Sequence, residues 1–491
     1  MNSKPNHRAP AAQQSLSRVQ AASTSARLYT EAVRLSALKL LAGIGLTLRT
    51  RPGLISALLV VLMSASLWHR GVSYIEEVSS TLVGIRQLLS DDSQHYLDIA
   101  DDFRDGDFSM SFVAPGGGES ADRAHRQPAY PVVLAVAEAA GLSGAPALAK
   151  VNLLFVIATL WAAFAVGTWV CASALGGALA AGIIYQADFL FDIATERLLT
   201  EPLYVLIATA TVGVGLAYLK RKGFGALLMF AALAALAYLT RVNGIFLAAA
   251  LGIVMIASDV RELRAAEQAD HEDEGRPQGG EPESDEDDAA ERPMLPLLKY
   301  GAAIALFLVV ASPSWVPRLI YTGNPVYHGY LNNYLWVDDY QDAHLPGPPR
   351  YSWSTYWDDH SVVDAARRLG YGVSRVYWET PRRTIGEGAA LVAVIAIVAL
   401  LAARDAPALW LLVAAILQAL PLAWTAMPND TRRIPAAALL PFFAVLTAAA
   451  AARWMGTARQ RSAPAQAADD KLETNTAGAD RADAAAAGTT R

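Results

Sequence analysis

Residues 91–130 read DDSQHYLDIADDFRDGDFSMSFVAPGGGESADRAHRQPAY. Seven aspartates fall within the first seventeen positions, yet apolar runs at about 53–69 and 148–169 flank the stretch. Carboxylates set between membrane-spanning runs are costly to desolvate unless they are wetted or used. This segment is therefore the candidate functional loop, and the rest of the chain reads as scaffold around it.

The chain has 491 residues, of which 54% are hydrophobic and 18% charged. A soluble domain carries about a quarter charged residues, so the deficit points to a membrane protein. The single cysteine, Cys171, sits in an apolar run and excludes a disulfide framework. The net charge of −6 says little, because the acids concentrate in one loop and the bases at membrane edges. No basic, aromatic-interleaved surface suited to nucleic acid is present. The first fifty residues lack the short apolar core and cleavage site of a signal peptide, so the first span is expected to be an uncleaved anchor.

Read in order, residues 1–52 form a cytoplasmic disordered tail followed by an amphipathic helix over 26–50. Residues 53–258 form an N-terminal transmembrane module. Its first span, 53–69, follows Arg51 and leaves Arg70 on the far side; the first outer loop, 70–146, comes next. That loop opens with a mixed helix from Tyr74 to Leu89 and closes with an apolar helix from Tyr130 to Ala140. Further spans follow at 148–169, 173–190, 202–219, 224–240 and 244–258, with the Lys220-Arg221-Lys222 cluster inside. Residues 259–293 form an acidic, disordered cytoplasmic loop. A span within 294–312 leads to a second extracytoplasmic segment, 313–385, rich in tryptophan and tyrosine, which suits an interfacial belt or a stacking surface for a sugar or lipid head. Spans at 387–403, 406–424 and 435–452 complete the C-terminal membrane part, 386–452, and residues 453–491 form a disordered cytoplasmic tail. The fold class is thus all-α and integral to the membrane, with about ten transmembrane helices, two large extracytoplasmic loops and a cytoplasmic N-terminus in the plasma membrane. Arg367, Arg368, Arg375, Arg382 and Arg383 in the second outer segment run against the positive-inside rule, which long translocated segments often escape.

Leu97 and Ala100 recur at helical spacing after Asp92, so a helix starts near Asp92 and its carboxylate can serve as cap or as base. Asp91 is adjacent and His95 lies one turn on. Asp188, Asp192 and Glu196 share one outer turn; they could line a substrate site or hold a divalent ion with His95 or His125. No histidine pair has a ligand spacing such as His-x-x-x-His, so a divalent metal ion stays only a possible cofactor. Gly116-Gly117-Gly118 lacks the strand before and the Lys-Ser/Thr after that a phosphate loop needs, and reads as a connector. Glu201 before Pro202 at a span head suits the positive end of a helix.

The ordered series of motifs carries more than any one of them. Asp92-Ser-Gln-His-Tyr96-Leu-Asp-Ile-Ala100, Gly106-Asp-Phe108 and Arg126-Gln127-Pro128-Ala-Tyr130-Pro131 are followed by Thr200-Glu201-Pro202-Leu-Tyr204 and Leu239-Thr-Arg241-Val-Asn-Gly244. Gly323-Asn324-Pro325 then follows a span ending in Ser312-Pro313, and Arg432-Arg-Ile-Pro435 leads into Leu440-Pro441. Over about residues 53–452 this series resembles the GT-C superfamily of polyprenyl-phosphate-dependent glycosyltransferases, which includes protein O-mannosyltransferases and the aminoarabinose transferase of lipid A. The family usually shows Asp-Glu at the first motif; here Ser93 follows Asp92 and Asp91 precedes it, so both aspartates stand as the base.

The resemblance implies a polyprenyl-phosphate-sugar donor, a cell-envelope acceptor (glycan, lipid or protein) and an inverting transfer on the extracytoplasmic face. Such a transfer needs a carboxylate to take the acceptor hydroxyl's proton, Asp92 or Asp91, and cations on the leaving phosphate. Arg126, Arg241, Arg432 and Arg433 are the donor phosphate-binding candidates, each also readable as an interface anchor. Tyr96, His95, His125, Tyr130, Glu201 and Asp192 are candidates for the acceptor or sugar. The rival class is a transporter or flippase of a lipid-linked or small anionic substrate, which calls for broken or polar mid-membrane helices and internal repeats. A third reading is a non-catalytic partner whose outer loops only bind.

Overall fold

A computed structural model describes residues 51–108, 126–274, 296–326, 336–337, 352–384, 386–425 and 433–455. The N-terminal tail and amphipathic segment, most of the acidic loop, Gly116–Gly118, His125, Arg432 and the C-terminal tail lie outside them. Among the described residues every long element is a helix and no strand occurs.

The helices follow in order as α1 (Arg51–Ser79), α2 (Leu82–Leu88), α3 (Asp91–Arg104), α4 (Ala129–Ala139), α5 (Ala145–Cys171), α6 (Ala174–Tyr185), α7 (Asp188–Glu196), α8 (Glu201–Arg221), α9 (Phe224–Thr240) and α10 (Gly244–Glu274). Beyond them come α11 (Pro296–Thr322), α12 (Trp353–Asp359), α13 (Val362–Ser374), a π turn over Arg375–Glu379, α14 (Thr380–Thr384), α15 (Glu387–Ala403), α16 (Ala406–Thr425) and α17 (Arg433–Met455). Seven of these are long and apolar enough to cross a membrane, and an eighth crossing is available if α6 and α7, bent by 55° at their junction, act as one span. The chain is a multi-pass membrane protein. The shorter apolar helices α9 (17 residues) and 390–403 coincide with two further expected spans.

Several boundaries differ from expectation: α10 continues as helix to Glu274, into the segment 259–293 expected to be disordered, and the span expected over 173–190 breaks after Tyr185. The first helix does not end near residue 69 and restart at Tyr74; α1 runs unbroken to Ser79. Its polar stretch stays helical because α7 receives it: Arg70 lies over the Phe191 ring at 4.6 Å and the Tyr74 hydroxyl donates to Glu196 at 2.7 Å. The break comes at Thr81, whose hydroxyl caps α2 through the Gly84 N–H. Likewise α11 does not stop at Ser312 but continues through Pro313 and Pro317 to Thr322. Proline removes a helix donor and crowds the preceding turn. Here Arg318 reinforces that turn by donating to the Ser314 carbonyl at 2.6 Å.

α8 is the axis of the bundle, with most of its side chains buried against α5, α9, α10 and α16. α1, α11 and α15 instead present rows of leucine, isoleucine and valine to the outside, as lipid-facing helices do. Close packing without a hydrophobic drive in lipid relies on small residues. A Cβ on Gly177 of α6 would sit 2.5 Å from the Phe164 carbonyl of α5, and one on Gly372 of α13 would sit 1.7 Å from the Ala423 carbonyl of α16. The aromatic residues of the second large segment gather into one edge-to-face group, Trp336, Trp353, Tyr356 and Trp357, with Arg368 over Tyr356 at 5.3 Å and over Trp424 at 5.2 Å.

Candidate functional site at the head of α8

The helix expected near Asp92 begins at Asp91, with Ser90 at its N-cap. Asp92 therefore lies inside the first turn and is not the N-cap residue. Ser90 makes no side-chain cap bond; its hydroxyl instead pairs with that of Ser93 at 2.9 Å. Ser93 is fully buried and accepts the Leu198 N–H at 3.2 Å, which ties the first turn of α3 to the segment leading into α8. Asn152 of α5 holds the same segment through the carbonyls of Arg197 (3.3 Å) and Leu199 (3.4 Å), while accepting the Tyr130 hydroxyl at 2.9 Å. These buried polar contacts set where Glu201, the first residue of α8, meets α3.

What they bring together is an ion-paired network from five places in the chain. Asp92 accepts from Arg126 on one oxygen and from Arg433, at the head of α17, on the other at 3.0 Å. The Arg433 Nε lies 3.1 Å from Glu201 Oε1, and Arg241, at the C-cap of α9, lies 2.9 Å from the same oxygen. Arg241 also donates to the Thr200 hydroxyl at 2.8 Å. The Arg126 guanidinium lies over the Tyr96 ring at 4.9 Å, donates to its hydroxyl at 3.3 Å and faces His95 Nδ1 at 3.3 Å. An arginine can only donate, so in that contact Nδ1 is the acceptor nitrogen.

Burial differs across the network. Glu201 is fully buried, whereas the Asp92 side chain is 36% exposed. Both guanidiniums sit within ion-pair reach of Glu201, but neither N–H points at it, so neither carboxylate oxygen has a hydrogen bond among the described residues. Burial alone would raise the Asp92 carboxyl, but the charges and hydrogen bonds of Arg126 and then Arg433 outweigh it and hold the carboxyl well below the ordinary carboxylate value. Three guanidiniums against two carboxylates leave this group one positive charge in excess among the described residues.

The remaining candidates fall around this centre or away from it. Asp91 is exposed on the other side of the α3 turn, and Asp192 is exposed on α7; neither joins the network. Tyr130 is wholly buried behind Tyr96, their rings edge-to-face at 5.2 Å. It braces Tyr96 and does not open to a ligand. Arg432 and His125 lie outside the described residues. Among the described residues no group of three or more His, Cys, Asp and Glu side chains is placed to hold a metal ion.

Sequence reasoning missed a second layer. Arg318, fully buried in the proline-interrupted turn of α11, donates to the Arg126 carbonyl at 3.3 Å, and Ser314 donates to the Gln127 side chain at 2.7 Å. The signal was present as an arginine inside an apolar span, where charge is rarely idle.

Fold and site define a multi-pass helical membrane protein with a carboxylate–guanidinium centre at one end of its central helix. Comparisons with models of protein families, with curated proteins and with solved structures gave no match for this chain.

Proposed function

We propose that the chain is a ten-span glycosyltransferase of GT-C type, with its N-terminus in the cytoplasm of a cell bounded by this plasma membrane and the Asp92 centre on the extracytoplasmic side. It moves a sugar from a polyprenyl-phosphate donor to a cell-envelope acceptor with inversion. The acceptor hydroxyl attacks the anomeric carbon while Asp92 takes its proton. The bond from that carbon to the phosphate oxygen breaks, and its electron pair stays on the phosphate, where Arg126, Arg433 and Arg241 stabilise the charge. His95 and Tyr96 border the acceptor.

The observation that carries this reading is the meeting of one partly exposed carboxylate with two arginines 34 and 341 positions away in sequence. An excess of guanidinium over carboxylate suits a phosphate ligand, and lipid-facing α1, α11 and α15 suit lateral access for a polyprenyl chain. Of the two aspartates, the exposed Asp91 has none of these contacts, which favours Asp92 as the base.

The test is transfer from radiolabelled polyprenyl-phosphate-sugars in membranes carrying the wild type, Asp91→Asn or Asp92→Asn. Transfer that collapses only in Asp92→Asn supports the reading; full activity in both variants removes the centre from the chemistry. A transporter of a lipid-linked or small anionic substrate is the second reading, favoured by the 55° break between α6 and α7. It predicts substrate movement across the bilayer with no new glycosidic bond.

A further inference from the structure

A base must be able to receive a proton, and Asp92 as it stands is poorly placed to do so. Arg126 holds one of its oxygens and Arg433 the other. A carboxylate engaged by two cations is a weak base, since protonation would forfeit both ion pairs. The same two guanidiniums are the groups that a donor phosphate needs, because their planar N–H pairs fit phosphate as well as carboxylate. Base and phosphate therefore contend for one set of donors.

We propose that Arg126 and Arg433 form a single anion seat whose resting occupant is Asp92, and that the donor's phosphate displaces the carboxylate and thereby releases it to act as base. This rests on reading the centre as a glycosyltransferase site and adds the order of events within it. Burial decides which acid moves. Glu201 is fully enclosed and stays between Arg241 and Arg433, whereas Asp92 is 36% exposed on the first turn of α3 and can swing towards the acceptor side. Among the described residues the charges fit the exchange: three guanidiniums, two carboxylates and one phosphodiester sum to zero. The seat need not be dismantled, because Tyr96 lies under the Arg126 guanidinium and accepts from it while Glu201 grips Arg433, so both guanidiniums keep a partner as the anion changes.

Competition makes a counter-intuitive prediction: removing the catalytic charge tightens donor-phosphate binding. The experiment is equilibrium binding of a fluorescent polyprenyl phosphate, which carries no sugar to transfer, to the purified full-length protein. Wild type, Asp92→Asn, Asp92→Ala and Asp91→Asn are compared in lipid nanodiscs. We expect affinity to rise about tenfold in both Asp92 variants, a coupling of ordinary size between two anions at one seat. Asp91→Asn, which removes the same charge one residue away, shifts it less than about twofold. The two Asp92 variants back each other should one fail to fold. Unlabelled polyprenyl phosphate must displace the probe, whereas inorganic phosphate or extra phosphatidylglycerol at equal concentration must not; displacement by either overturns a polyprenyl-phosphate seat. Equal or weaker binding in folded Asp92 variants overturns the exchange while leaving the transferase reading intact. No binding in the wild type overturns both.

Discussion

The two ends of α8 each carry a buried acid held by cations, and they are built differently. At the C-terminal end, about 30 Å from Glu201 for a helix of 21 residues, Asp259 of α10 accepts from Lys222 at 2.9 Å, from Lys299, and from the hydroxyls of Tyr218 at 2.6 Å and Tyr300 at 2.9 Å. Lys222 also reaches Glu262 at 3.1 Å and the Ser258 hydroxyl at 2.5 Å. Among the described residues two lysines balance two acids, and no buried polar side-chain atom of this group lacks a partner. At the N-terminal end, among the described residues, the cations exceed the acids, and the buried Glu201 carboxylate has ion pairs but no hydrogen bond. A saturated, neutral cluster pins α8, α10 and α11 together. An unsaturated, cationic one has room for a further anion, and on that contrast rests the proposal of chemistry at one end and structure at the other.

The contrast is sharpest in activity. Asp92→Asn should lower sugar transfer by about 10²- to 10⁴-fold, the usual weight of a general base, with the thermal unfolding midpoint little changed. Stability separates the ends in the opposite sense. Glu201→Gln leaves Arg241 and Arg433 facing each other without a buried counter-charge and should cost about 3–5 kcal/mol in detergent unfolding. Asp259→Asn should cost about 2 kcal/mol, because Lys222 and Lys299 reach water more readily and the amide still accepts from the tyrosines. If Asp259→Asn proved the more damaging, the two ends would have been ranked wrongly.

Arg318→Met keeps the buried volume but releases the Arg126 carbonyl. It should lower kcat about tenfold while leaving the fold intact, and Ser314→Ala, which loosens only Gln127, should do less. A pure stability loss with kcat unchanged would make Arg318 part of the scaffold alone.

The smallest effect is in pH. The resting Asp92 carboxyl lies below its ordinary value of 3.8, held there by Arg126 and Arg433 against the upward push of burial. Its ion pairs are therefore fully present above that value and are lost only as pH falls through the depressed one. Once a phosphate takes the seat, the carboxyl relaxes upward. The acid limb of kcat should then lie about one pH unit above that of kcat/KM, and coincident limbs would argue against release.

Much of this was legible in the chain. Asp92 stood out as a charge at a helix start between apolar runs and Glu201 as a charge at a span head, whereas Arg126, Arg241 and Arg433 were marked by the ordered motif series and its family resemblance. Helical spacing placed the start of α3 to within a residue. Length and hydropathy located seven of the about ten expected spans, or eight if α6 and α7 act as one. What escaped is what depends on partners distant in sequence. Ser93 and Asn152 are ordinary polar residues until the Arg197–Thr200 segment is laid across them. Thr81, not the polar Arg70–Tyr74 stretch, ends α1, because α7 satisfies that stretch from more than a hundred residues away. Pro313 and Pro317 read as a helix end, and only the Arg318 side chain reveals why the turn persists. Local pattern could not choose between Asp91 and Asp92; the structure adds that Arg126 and Arg433 arrive at Asp92.

The most direct measurement compares sugar transfer by Asp92→Asn and Asp259→Asn in the same membranes, with a radiolabelled polyprenyl-phosphate-sugar and rates normalised to folded protein. The account predicts that Asp92→Asn is nearly inactive while Asp259→Asn retains most of the wild-type rate per folded molecule. Loss of transfer in Asp259→Asn with Asp92→Asn still active would contradict it and move the chemistry to the other end of α8.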